Sequence, residues 1–206
     1  MKELDNSLFL TIVISALSES ARRLSTNTPI VDENIWFRNI KKSGNKITVS
    51  PNKLTKLSTY FKKNGVFTYG KVLRFIICMG LQLTALTKNN CGFIHITMDD
   101  IVVIDDDWFL ITNFDNISLL TKDGKINITT PFSANKFTAP ELRDIKTLPI
   151  DVEPPCSYYS IAIICLSLFG FEYNKDNMDK LYPSPVYFFI ERCLYEEPEK
   201  RAFLLI

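Results

Sequence analysis

Residues 92–115 (GFIHITMDDIVVIDDDWFLITNFD) hold the side-chain types that proton transfer and metal binding require. His95 could act as a general base, because an imidazole titrates near neutral pH. Asp100 and Asn113 could supply the carboxylate and amide oxygens that bind Mg²⁺. The three acids at 105–107 lie between two apolar runs, a pattern that predicts the tip of a β-hairpin in preference to a metal site. For His95, a structural role in a loop is the simpler interpretation.

Hydrophobic periodicity predicts a chain with more helix than strand, in which these residues lie around a hairpin with strands at 101–104 and 108–112. The longest predicted helix covers 69–88 and has one wide apolar stripe. The helix predicted over 158–169 is apolar on all sides, which is typical of the centre of a core. The other predicted elements are a helix over 6–24, strands over 35–40 and 46–50 joined by a turn at 41–45, a helix over 54–63 ended by Asn64-Gly65, a loop or weak strand pair over 121–136, and a last helix from Ser184-Pro185 to about residue 195.

Composition narrows the class of protein. The chain has 206 residues, 46% of them hydrophobic and 12% aromatic, which suffices for a substantial core in one large domain or two small ones. The net charge of +1 is too small to attract the protein as a whole to nucleic acid or to a membrane. The pairs Lys41-Lys42 and Lys62-Lys63 are expected in solvated loops. Five cysteines, an odd number without a CxxC, favour a reduced intracellular protein and disfavour a zinc site.

The N-terminal apolar stretch 8–17 is interpreted as part of a packed amphipathic helix. Its leader carries Lys2, Glu3 and Asp5, whereas a signal peptide has a positively charged leader. The stretch is also too short to span a bilayer. We therefore expect neither cleavage nor membrane insertion of this segment.

Four segments, in this order, resemble the eukaryotic protein kinase family, and the resemblance is strongest from Leu57 to Arg201. Residues 57–95 resemble the helices that lead into the kinase catalytic loop. The segment KFTAPEL at 136–142 matches the APE motif that closes the activation segment. The other two segments are YYSIAIICLSLFG at 158–170, similar to the buried central helix of the large lobe, and FFIERCLYEEPEKR at 188–201, similar to a late helix of that lobe and the Pro-x-x-Arg after it.

The resemblance implies an α+β, mainly α fold. It implies a single kinase-like domain over 1–206, in which 51–206 form the large C-terminal lobe and 1–50 form a minimal remnant of the small lobe. It also implies a structural ion pair between Glu141 and Arg201, because kinases bury a pair between the Glu of APE and the Arg that follows the late helix.

Compared with the kinase pattern HRDxxxxN and DFG, the catalytic positions of this chain are degenerate. His95 takes the position of the His or, in another alignment, of the catalytic Asp, and neither alignment leaves a carboxylate at the position of the base. Asp100 takes the position of the Asn, and Asn113 that of the DFG Asp, so the two metal-ligand types are exchanged. The chain has no GxGxxG loop and no VAIK-like Lys, and Ser157 takes the position of an Asp that anchors the catalytic loop.

These departures predict a protein without kinase activity: a truncated pseudokinase that binds another protein, as decoys in large DNA viruses do. We expect no catalytic residue, no cofactor and no metal, with Asp100 as the weak candidate ligand. The alternative is a divergent active kinase that transfers phosphate from ATP to Ser or Thr, with ATP and Mg as cofactors. We expect a cytoplasmic protein whose partner is a protein, either a kinase or a second copy, and we expect neither nucleic acid nor a membrane as a partner.

The surface expected to bind the partner is on the truncated small-lobe side. The helix predicted at 6–24 has more apolar residues than one face can bury, and two short strands cannot cover them all. Exposed apolar surface of this kind marks a partner site. Phe9, Ile12 and Trp36 are the candidate partner-binding residues.

Overall fold

The protein is described by a computed structural model, which covers residues 11–16, 41–43, 46–48 and 53–204. Residues 11–16 are helical, with Val13 and Ile14 buried. The rest of the helix predicted over 6–24 and the strand predicted over 35–40 lie outside the described residues.

Helices and strands alternate irregularly along the described chain, and the fold is α+β with more helix than strand. The helices are α1 (11–16), α2 (Leu57–Asn64), α3 (Tyr69–Lys88), α4 (Cys156–Leu168), α5 (Lys175–Asp179) and α6 (Pro185–Cys193). The strands are β1 (Lys41–Ser43), β2 (Lys46–Thr48), β3 (Leu54–Lys56), β4 (Cys91–Phe93), β5 (Ile101–Ile104), β6 (Trp108–Ile111), β7 (Ile117–Leu119), β8 (Ile126–Ile128) and β9 (Ile150–Val152).

The strands form small antiparallel sheets. The sheet with the order β3-β5-β6 contains the predicted hairpin, with Ile104 opposite Trp108. The other pairs are β1 with β2, β4 with β7, and β8 with β9. The region predicted over 121–136 as a loop or a weak strand pair contains strand β8, and its partner β9 is a segment that was not predicted as a strand.

Two predicted boundaries are wrong. Lys41–Ser43 form strand β1, with Lys41 opposite Thr48, where the sequence predicted a turn beginning at Lys41. Helix α2 begins at Leu57 and not at residue 54, because Leu54–Lys56 pair with β5 as an edge strand. At β3 backbone pairing with a distant segment overrides the local preference, whereas β1 pairs with the neighbouring strand β2. The predicted end of α2 is confirmed: Gly65 has φ 74° and donates to Phe61 O at 2.8 Å.

Helices α3 and α4 form the centre of the core. Helix α3 has the predicted bounds and eight buried residues, and nearly all of α4 is buried. Of the helices that the structure describes, α3 alone is long and apolar enough to cross a membrane by length and composition, a test that core helices also pass. The last helix, α6, opens as predicted, since the hydroxyl of Ser184 accepts from Tyr187 N at 3.1 Å and Pro185 follows.

Helix α3 also holds the edge of strand β6 through the side chain of Gln82, which is completely buried. Its Nε2 donates to Phe109 O and Cys78 O, each at 2.9 Å. Its Oε1 accepts from Ile111 N at 2.9 Å. The amide of Gln82 thus takes the place of a neighbouring strand, because it pairs with a backbone donor and a backbone acceptor on β6.

Candidate functional site

The residues predicted to carry chemistry lie on two loops that the pairing of β4 with β7 brings side by side. Phe93 is opposite Ile117, and Ile94 N donates to Asn116 O at 2.9 Å. The first loop leads from β4 into a 3-10 turn at Met98–Asp100, and the second connects β6 with β7. His95 and Asp100 lie on the first loop and Asn113 lies on the second. The three residues therefore occupy one region of the fold.

Asp100 is buried, and its carboxylate accepts three hydrogen bonds. Oδ2 accepts from Thr97 N at 2.7 Å and from the Thr97 hydroxyl at 2.8 Å, and Oδ1 accepts from Asn113 Nδ2 at 2.8 Å. The Thr97 contacts form a capping box at the start of the 3-10 turn. The carboxylate thus accepts from two donors of its own loop and one of the neighbouring loop, so it stabilises the 3-10 turn and joins the two loops.

Asn113 turns its amide nitrogen, and not its oxygen, towards Asp100. Its Oδ1 accepts from Asp115 N at 3.1 Å, which fixes the orientation of the amide group. Asp100 and Asn113, the two candidate metal-binding residues, therefore bind each other directly. The amide N–H that Asn113 turns towards Asp100 cannot ligate a cation.

His95 is buried, with 5% of its surface exposed. Its Nε2 is 3.3 Å from Asn116 Nδ2, and since the amide nitrogen donates, Nε2 is the acceptor and the proton is on Nδ1. Nδ1 has no hydrogen-bond partner among the described residues. The ring packs on Phe132, with the ring centroids 5.7 Å apart.

Burial lowers the pKa of His95 below its usual 6.5, and the nearby charge of Asp100 opposes that shift only in part. The imidazole is therefore neutral at pH 7. A general base also needs to reach the proton that it removes. Nε2 of His95 is paired with Asn116, and Nδ1 is buried and carries the proton, so neither nitrogen is placed to accept a proton from a substrate. The geometry matches the structural role that the sequence favoured for His95.

We expect the stability of the protein to fall as the pH drops from about 7.5 to about 5.5, with His95 as the cause. The unfolded chain takes up a proton near the reference pKa of about 6.5, whereas folded His95 takes it up only at a lower pH. The stability that neutral His95 contributes is thus fully present above the pKa of the unfolded chain and is lost as the pH falls below it. The free energy of unfolding then changes by at most about 1.4 kcal/mol per pH unit.

Urea unfolding at several pH values checks this expectation, with the variant His95→Asn as the comparison. His95 is the single histidine of the chain, so no other histidine contributes in this window. The wild-type protein should lose stability relative to the variant as the pH falls. Parallel pH profiles for the two proteins would show that His95 titrates alike in the folded and unfolded chains.

The acid triplet forms the hairpin tip, as predicted, and each acid has a partner. Asp105 accepts from Lys53 N at 2.7 Å, Asp106 pairs with Lys53 Nζ at 2.7 Å, and Asp107 pairs with Arg74 at 3.3 Å. Asp105 and Asp106 adopt positive φ angles of 48° and 64°, which a tight turn requires. Within the described ranges, no group of three or more His, Cys, Asp or Glu side chains is placed to hold a metal ion.

The end of strand β4 and the start of helix α4 are joined by a contact that the sequence did not reveal. The Ser157 hydroxyl donates to Pro154 O at 3.1 Å, so it stays within the start of its own helix. Its neighbour Cys156 instead places its thiol 3.3 Å from Phe93 O. Burial raises the pKa of the Cys156 thiol to about 12, which keeps it protonated and able to donate.

Glu141 and Arg201, the predicted ion pair, lie together. The guanidinium donates to both carboxylate oxygens of Glu141, at 2.6 and 2.8 Å. It also donates to Tyr195 O at 2.7 Å and to Glu196 O at 3.1 Å. The side chain of Arg201 is fully buried, and its guanidinium lies 5.5 Å from the centroid of the Tyr159 ring. The pair therefore fastens the segment after residue 136 to the end of the described chain.

Three further residues, which sequence reasoning did not single out, hold the same segment. Arg143 donates to Thr138 O at 2.9 Å, and its guanidinium lies 5.7 Å from the Tyr159 ring. The hydroxyl of Ser160 donates to Phe137 O at 2.8 Å. Tyr159 thus contacts two guanidinium groups. Its signal in the sequence is weak, since an aromatic residue in an apolar helix predicts only packing.

The candidate partner-binding residues are only partly described. Ile12 is half-buried and packs against the core. Phe9 and Trp36 lie outside the described residues. The surface that they were predicted to form therefore remains a prediction.

Comparison with known proteins identifies no relative: no protein-family model matches the chain, and no curated protein matches its sequence.

Proposed function

We propose that the chain is a catalytically inactive, protein-kinase-like module that acts by binding another protein. In this proposal the α+β fold corresponds to a kinase C-terminal lobe with a minimal remnant of the N-terminal lobe, within a single domain. The support is the order of the four kinase-like segments, together with the ion pair of Glu141 and Arg201, in which Arg201 is fully buried and Glu141 is half-buried. Such a pair stabilises the fold and takes no part in phosphate transfer.

The observation that carries the proposal is the hydrogen bond between Asn113 Nδ2 and Asp100 Oδ1, 2.8 Å long. In an active kinase the residues at both positions face magnesium ions. Here they face each other, and Thr97 donates two further hydrogen bonds to the carboxylate. A metal ion bound between Asp100 and Asn113 would have to displace the hydrogen bond that joins them, at a cost in stability.

The proton-transfer side of the site supports the same proposal. His95 is the titratable side chain closest in position to a kinase base, and it is buried and neutral. A kinase also gains most of its transition-state stabilisation from a Lys and a Gly-rich loop around the phosphates, and the sequence has neither motif. We therefore propose that the protein uses neither ATP nor Mg²⁺.

The proposed partner is a protein, either a kinase whose lobe this chain imitates or a second copy of the chain. We propose the cytoplasm as its location. All five cysteines are free and buried, as expected in a reducing compartment. Neither nucleic acid nor a membrane is part of the proposal.

Phosphate transfer is the direct test. Incubation with radiolabelled ATP and Mg²⁺ should label neither the protein itself nor a generic Ser/Thr acceptor above the level of an Asp100→Ala variant. Labelling that the wild type shows and the Asp100→Ala variant lacks would overturn the proposal, and it would support the alternative of a divergent active kinase.

A further inference from the structure

The positive charge of the chain is concentrated in one stretch. Residues 53–98 contain six Lys and one Arg but no Asp or Glu, although the whole chain is nearly neutral. The cationic side chains of this stretch can form ion pairs only with acidic residues from other parts of the fold.

The fold supplies acids to only some of these cations. Lys53 pairs with Asp106, and Arg74 pairs with Asp107, both at the tip of the β5–β6 hairpin. Lys71 donates to the Tyr60 hydroxyl at 2.6 Å and lies over that ring. Four exposed lysines have no ion pair with any described residue: Lys56, Lys62, Lys63 and Lys88.

Three of these lysines lie within the short unit formed by β3 and α2, next to exposed apolar side chains. Lys62 and Lys63 are adjacent in the last turn of α2, and Lys56 is the last residue of β3, directly before the helix. Leu54 points to the same side of β3 as Lys56, because side chains two residues apart share a face of a strand. Leu54 is 58% exposed, and Val66, just past the end of α2, is 64% exposed.

We propose that this basic strip, defined by Leu54, Lys56, Lys62, Lys63 and Val66, binds an acidic, amphipathic segment of a protein partner. The inference rests on the proposed function of protein binding and names the chemistry of the partner. Unpaired lysines attract carboxylates, and exposed aliphatic side chains next to them gain from burial against apolar residues of the same segment.

Other anionic partners fit the strip less well. Nucleic-acid sites rely on Arg and on aromatic rings that stack with bases, whereas this strip offers only Lys with Leu and Val. A helix that binds a membrane surface inserts its apolar face into the bilayer. The apolar face of α2 is packed against the core instead, since Leu57 and Tyr60 are buried.

A fluorescein-labelled synthetic peptide of alternating Glu and Leu blocks tests the proposal by fluorescence anisotropy with the full chain. The peptide should bind saturably, and it should bind more weakly as the salt concentration rises. The same peptide with Gln in place of Glu should not bind. The double variant Lys62→Gln/Lys63→Gln should weaken binding by about tenfold, because two attractive charges are removed.

The matched control is Lys122→Gln/Lys146→Gln, which makes the same change of charge at two exposed lysines away from the strip. It should bind the peptide as the wild type does. Equal binding by wild type and Lys62→Gln/Lys63→Gln, or equal loss in both double variants, would overturn the proposal. The proposal would also be overturned if the protein failed to bind the peptide but bound poly-uridine or phosphatidylserine vesicles through Lys62 and Lys63. The assay contains no ATP, so its outcome is independent of the test for phosphate transfer.

Discussion

Replacing Arg201 with Ala is expected to lower the free energy of unfolding by about 3–5 kcal/mol, the usual cost of removing one partner of a buried ion pair. The change leaves Glu141 without its cation and leaves the carbonyl groups of Tyr195 and Glu196 without a donor. It also opens a cavity beside Tyr159. Glu141→Ala should cost a similar amount, because the guanidinium that remains is fully buried. Urea unfolding followed by circular dichroism measures both.

The double variant Glu141→Ala/Arg201→Ala should lose clearly less than the sum of the two single losses, since neither charge is then left alone. The exposed pair Glu197 and Lys200, 2.9 Å apart, is the control, and its removal should leave stability nearly unchanged. Additive losses at Glu141 and Arg201 would show that the two side chains act independently, and the pair would then not fasten the fold.

Replacing Gln82 with Leu is expected to cost about 3 kcal/mol, although Leu is the more hydrophobic residue. The substitution leaves Ile111 N and Phe109 O buried without their partners, and each unsatisfied buried group costs roughly 1–3 kcal/mol. Because Gln82 joins α3 to β6, the loss should appear in the global unfolding transition.

Thr84→Ala provides the control for Gln82→Leu, since Thr84 is an exposed residue on the same helix. That change should be neutral or slightly stabilising, as Ala favours helix. A Gln82→Leu protein as stable as the wild type would show that water or a backbone shift satisfies the edge of β6.

The long helices could be predicted from the sequence because their signals are local. Helix α3 has an uninterrupted apolar stripe and the predicted bounds, and α4 is apolar all round. The hairpin at 101–111 is similarly local, since two apolar runs flank a turn of three acids. Strand β3 was missed because its three residues form a strand only by pairing with β5, some fifty residues later in the chain.

The site was predictable in its residue types but not in its contacts. Asp100 and Asn113 could be singled out from the sequence as candidate metal ligands, whereas the direct hydrogen bond between them depends on how the two loops fold. The role of Gln82 was equally hidden, because its partners on β6 are 27 and 29 residues away. The contact of Cys156 with Phe93 O joins residues 63 positions apart, and no local pattern indicates it.

Binding of Mg-ATP tests the central claim most directly, namely that Asp100 and Asn113 bind each other in place of a metal ion. We predict that thermal unfolding of the full chain is the same with millimolar Mg-ATP, with ATP and a chelator, and with Mg²⁺ alone. A nucleotide that binds the folded protein would add about 2.7 kcal/mol of stability at a hundred times its Kd. A saturable rise in the unfolding midpoint that requires both Mg²⁺ and ATP, and that is lost in Asn113→Ala, would contradict the account.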